Sequence, residues 1–148
     1  MKTNTADLYD KLEAYLKRAL EDVVAEHNAK DPELYLEDIK AWHRGYKDVT
    51  AGATEFPAIL FMEQSRTQLD SFTTRYSVEI SIALKGSERI AEQGQAYADA
   101  LWDALLADCH LGDACLDSNN HTLETGYIGS VFLAVATLDI DMDRGGFL

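Results

Sequence analysis

A chain of 148 residues, 47% of them hydrophobic, is sized for a single domain around one core and is not composed for disorder. Its 26 acids against 13 bases give a formal net charge of −13, which argues against tight binding of nucleic acid or an anionic membrane, since counterion release needs basic clusters. With no leader-like start and no apolar run near the roughly 18 residues of a bilayer span, the expected location is the cytoplasm, where Cys109 and Cys115 would stay reduced.

Leu8, Leu12, Leu16, Leu20, Val23 and Val24 recur every three or four residues, which predicts an amphipathic helix over Ala6–His27 ending near Asn28. Asp31-Pro32 resembles a helix start. Leu34–Asp38 fits one helical turn or two, and Asp38–His43 fits a short strand ending at Gly45. Lys40, His43, Arg44 and Lys47 are the nearest thing to a basic cluster and read as scattered surface charge. Ala51–Phe56 is expected to be a loop. Pro57–Met62 reads as a strand buried on both faces, with Pro at the first position where no ladder donor is needed.

Phe72–Lys85 carries the clearest pattern. Phe72, Thr74, Tyr76, Val78, Ile80, Ile82 and Leu84 alternate with polar or small residues, so one face meets the core and the other is polar. Gln64–Ser71 is the expected hairpin loop between these two strands. Ser87 is a candidate cap for a helix running to about Asp108, with Ile90, Gly94, Tyr97, Ala98, Leu101 and Leu105 as its apolar stripe. Ala96, Ala100 and Ala104 form a small-residue flank that another backbone can approach closely. Leu111–Glu124 is expected to be turn-rich, with a short strand near Ala114–Asp117 and a reversal at Ser118-Asn119-Asn120. Tyr127–Ile140 reads as one long strand, with Tyr127, Val131, Leu133 and Val135 on one face and Ile128, Phe132, Ala134, Ala136, Leu138 and Ile140 on the other. The fold class is therefore α+β: an antiparallel or mixed sheet covered on one face by two amphipathic helices, as one domain over residues 1–148.

Chemical motifs are sparse. Asp139-Ile-Asp141-Met-Asp143 has the spacing that opens an EF-hand loop, but Arg144 stands where the turn glycine belongs, so the acids read as outward residues at a strand end. Cys109, His110, Cys115 and His121 have metal-ligand types without chelating spacing, and Cys109 reads as half-buried at a helix end. No nucleophile motif or phosphate-cradling loop is present, and His27, His43, His110 and His121 suggest no triad. No catalytic, cofactor-binding or metal-binding residue is expected, and the chain is not expected to be an enzyme. A small ligand- or ion-binding module using Cys109–His121 or the terminal aspartates is the alternative.

The order of an N-terminal helix, Phe56-Pro-Ala-Ile-Leu60, the alternating strand to Leu84, Ala96-Tyr-Ala-Asp-Ala-Leu-Trp-Asp-Ala-Leu105 leading into Leu111-Gly112, and the terminal segment from Tyr127 resembles the tail-terminator and minor tail (head–tail joining) proteins of siphophages and prophages. The resemblance spans roughly Ala6–Asp141. It implies a structural virion protein whose subunits close into a homo-oligomeric ring, often six-fold, that stops tail-tube growth. Its implied partners are the tail tube and the head connector, its implied place the virion tail or neck, with DNA passing through without sequence-specific contact. Residues expected at interfaces are Arg75, Tyr76 and Glu79 on the long hairpin, Trp42, which can instead be core, and Tyr127 of the terminal strand.

Overall fold

Leucines spaced to share one helix face bury that face first. In the computed structural model, which describes residues 4–45, 48–50, 54–86 and 88–143, Leu8, Leu12, Leu16, Leu20 and Val24 of the first helix are all buried. Each such side chain contributes roughly 1.5–3 kcal/mol of transfer free energy. The elements are α1 (Asn4–Lys30), a 3-10 turn (Pro32–Leu34), β1 (Ala41–Arg44), β2 (Ala58–Gln68), β3 (Thr73–Lys85), α2 (Ile90–Ala107), β4 (Asp117–Ile128) and β5 (Val131–Asp143). The strands form one sheet in the order β1-β2-β3-β5-β4. β1 lies parallel to β2 and every other neighbouring pair is antiparallel, so the sheet is mixed. Both helices pack on one face, and the fold is α+β. No helix among the described residues is long and apolar enough to cross a membrane.

Tyrosine hydroxyls fix the helices. Tyr9 accepts a hydrogen bond from the Glu63 amide at 2.7 Å, beside the bulge in β2 between Glu63 and Ser65. Tyr15 donates to the Ala104 carbonyl of α2 at 2.7 Å, which makes use of the small-residue flank. Tyr97 donates to the Glu37 carbonyl at 2.7 Å, and burial pushes its hydroxyl pKa far up. α1 does not stop at Asn28. It runs to Lys30, and the Asn28 amide instead clamps Leu36 by accepting from its N–H at 2.8 Å and donating to its carbonyl at 2.9 Å.

Several predicted boundaries shift. β2 continues to Gln68, so the hairpin loop is only Leu69–Phe72, closed by Asp70 accepting from the amides of Phe72 and Thr73. Asp117–Ile128 is a strand, and Asn119–Thr122 is a bulge within it where Asn120 takes φ +55°; the polar run bends the strand instead of reversing the chain. The expected terminal strand is two, because Gly129 (φ +59°) and Ser130 close a two-residue hairpin. α2 begins at Ile90 after Arg89; Ser87, the expected cap, lies outside the described residues, as do Lys47 and residues 51–53 of the expected loop. Asp31-Pro32 opens only the 3-10 turn, and the Asp31 side chain makes no capping bond.

Gly94 sets how closely α2 approaches β5. A Cβ there would lie 2.6 Å from two ring carbons of Phe132. Gly94→Ala would gain up to about 1 kcal/mol in helix propensity but lose about 1–3 kcal/mol to overpacking. A lower urea midpoint for Gly94→Ala is therefore expected, with recovery when Phe132→Leu is added.

Candidate functional site

Strand residues pointing away from the helices make a second face with two characters. At one end, Leu60 and Met62 of β2, Leu133 and Val135 of β5, Ile128 of β4 and Val49 surround a depression of about 240 Å3, with Glu79 and Ser81 at its floor. Val49 packs with Ala58, Ala83 and Val131 as a small satellite core. Farther along the same face Arg75 grips Asp141 with two hydrogen bonds, of 2.7 and 3.0 Å. That contact raises the guanidinium pKa, with Asp139 and Asp117 adding to the effect. Asn120 donates to Asp139 at 2.8 Å and Asn119 to Asp117 at 3.0 Å.

The five residues expected at interfaces separate. Arg75 and Glu79 do lie on this uncovered face, Arg75 tied to Asp141 and Glu79 accepting from Gln64 at 2.6 Å. Tyr76 is 2% exposed and faces the helices, with the Arg66 guanidinium 5.1 Å from its ring, so its ring belongs to the core and offers no surface to a partner. Its place follows from the alternation of β3. Trp42 is half-buried on β1, 6.0 Å from Phe61 and 5.4 Å from the Lys17 ammonium. Tyr127 is exposed, but it pairs in register with Phe132 and meets that ring edge-on at 5.4 Å, so it lies on the helix-side face. The hairpin at Gly129 moves Tyr127 and Ile128 to faces opposite those expected for an unbroken strand.

The titratable clusters do not converge. Among the described residues no group of three or more His, Cys, Asp or Glu side chains is arranged to hold a metal ion. His110 donates to the Leu116 carbonyl at 2.8 Å, and His121 meets the Trp102 ring edge-on, with burial lowering its pKa. Asp141 is buried and paired, not turned out to water as expected, because its register partner is Arg75. Cys109 is exposed and not half-buried; Cys115 is the partly buried thiol, and burial pushes its pKa up to about 12.

The sequence reading missed the exposed apolar side chains at the ends of the two hairpins. Leu69 and Phe72 cap β2–β3, and Ile128 joins Tyr127 at β4–β5. Apolar residues flanking Asp70-Ser71 and Gly129-Ser130 were the available signal. Leu106 and Leu116 add exposed apolar surface near α2 and β4. No protein-family model matches the chain, and no curated protein matches it.

At pH 8, iodoacetamide is expected to label Cys109 in the folded protein and Cys115 only after unfolding, read by mass spectrometry of the peptides. Arg75→Met should lower the urea midpoint by leaving the Asp141 carboxylate buried beside Asp117 and Asp139, and Asp141→Asn in that background should recover part of the loss.

Proposed function

We propose that this chain is a structural assembly protein that self-associates into a closed ring, of the kind that caps a phage tail tube and joins it to the head connector. The observation that carries the reading is the exposed apolar surface. Leu69, Phe72, Tyr127, Ile128, Leu106 and Leu116 are each about half exposed, and an apolar depression lies between strands that the helices leave uncovered. Leu69 and Phe72 lie at one end of the sheet and Tyr127 and Ile128 at the other, and neighbouring subunits are one way to cover apolar surface placed so. A helix, a hairpin-bearing sheet, a second helix and terminal strands follow in an order compatible with the resemblance, although the single terminal strand expected from Tyr127 is broken at Gly129. A charge of −13 on each subunit also suits a ring through which DNA passes, since like charge keeps the polyanion from sticking.

Light scattering behind size exclusion, at rising protein concentration and at low and moderate salt, tests the reading. The expected result is a mass of several subunits that grows in as salt screens the repulsion, with annular particles by negative stain. A persistent monomer under all these conditions would sink it. Leu133→Glu, placed on the apolar part of the uncovered face, is expected to shift the distribution toward smaller species.

A further inference from the structure

The sheet ends in two unlike margins. Among the described strands β1 pairs only with β2, and β4 only with β5, so each has one backbone edge without a strand neighbour. We infer that the β4 margin of one copy joins the β1 margin of the next copy, continuing the sheet from subunit to subunit. This rests on the self-association reading above and names the surfaces it uses.

Direction and register agree. β4 runs opposite to β5, β5 opposite to β3, and β3 opposite to β2, which β1 follows, so β4 runs opposite to β1. A neighbour set alongside without turning over therefore offers an antiparallel partner, the more stable kind of ladder. Tracing rows across the sheet puts Ala41 level with Gly126, Trp42 with Thr125, His43 with Glu124 and Arg44 with Leu123. The four residues of β1 thus fall on the regular part of β4, beyond its bulge at Asn119–Thr122.

Shape and charge point the same way. Beside β1, Leu20, Val24, Ile39 and Trp42 line a cavity of about 330 Å3. The β4 margin instead presents exposed apolar side chains: Tyr127 is 54% exposed and Leu106 is 50% exposed, one helical turn beyond the Trp102 that packs on His121. From Ile90 to Asp143 there is no lysine or arginine, although ten of the 26 acids lie there. The cations nearest β1, Lys17, Lys40 and Arg44, are tied to Glu13, Glu37 and Asp10. Two β4 margins meeting each other would set acid against acid, whereas β4 against β1 sets Glu124 in the row of His43, on the face the helices leave uncovered. An exposed apolar margin and a hollow one make a heterologous contact, the type that repeats around a ring.

Two variants test the pairing of margins. His43→Glu sets a carboxylate in the row of Glu124, on the same face; the second variant adds Glu124→Lys to it. Like charges across an interface weaken it by about a hundredfold or more, so His43→Glu should stay monomeric where the unaltered chain forms rings, and the double variant should form rings again, with folding of both checked by circular dichroism. As an independent measurement, His43→Cys with Glu124→Cys in a Cys109→Ser background should give a ladder of disulfide-linked multimers on mild oxidation. Rings formed by folded His43→Glu, no recovery in the folded double variant, or no ladder would overturn the assignment of margins while the ring reading stands. An unaltered chain that remains monomeric would overturn both.

Discussion

Two helices can cover only one face of a five-stranded sheet, and the rest of this structure follows from that shortage. On the covered side the fit is close. Gly94 lets α2 settle onto the Phe132 ring, Tyr15 bridges to the α2 backbone, and Tyr9 ties α1 to the bulge of β2. Each of these polar tips finds a backbone partner at 2.7 Å, so the helices are held by directional bonds as well as by area. On the other side the same strands present whatever alternation leaves over, which here is part apolar and part carboxylate.

How the uncovered face divides is itself physical. Where Val49 folds back, small residues such as Ala58 and Ala83 bury a satellite core and the neighbouring Leu60, Met62, Leu133 and Val135 stay partly wet. Where no chain folds back, the face turns polar and Arg75 becomes the counterion for a group of aspartates brought together by the β3–β5 and β4–β5 registers. That region cannot be understood from local sequence, because Arg75 and Asp141 are 66 residues apart. It reads as an EF-hand fragment on paper and as a salt-bridged strand end in space.

Periodicity made the helices and β3 legible. The α1 leucines, the Gly94–Leu105 stripe and the Tyr76–Leu84 alternation all appear buried as their spacing requires. What periodicity could not place were the chain reversals. Polar residues at Ser118-Asn119-Asn120 looked like a turn but make a bulge, while the apolar run from Tyr127 to Ile140 hid a turn at Gly129-Ser130. Polarity does not mark a reversal here: left-handed backbone at Asn120 and Gly129 serves a bend in one case and a full turn in the other. The turn at Gly129 also reverses the face that Tyr127 takes. Tyr76 shows the converse: its place in the core was written in the alternation of β3, but its aromatic character suggested a surface role.

The bulge in β4 has a consequence for chain quality. A long edge strand with no lysine or proline invites unlimited strand addition between molecules, the route to fibrils. Interrupting the ladder at Asn119–Thr122 divides the twelve residues of β4 into two short stretches that twist out of line with each other. A stray extended peptide then finds a landing site too short and too bent to be extended in register, while a partner of only a few residues, built to the right curvature, still fits. The irregularity protects against misassembly without closing the edge.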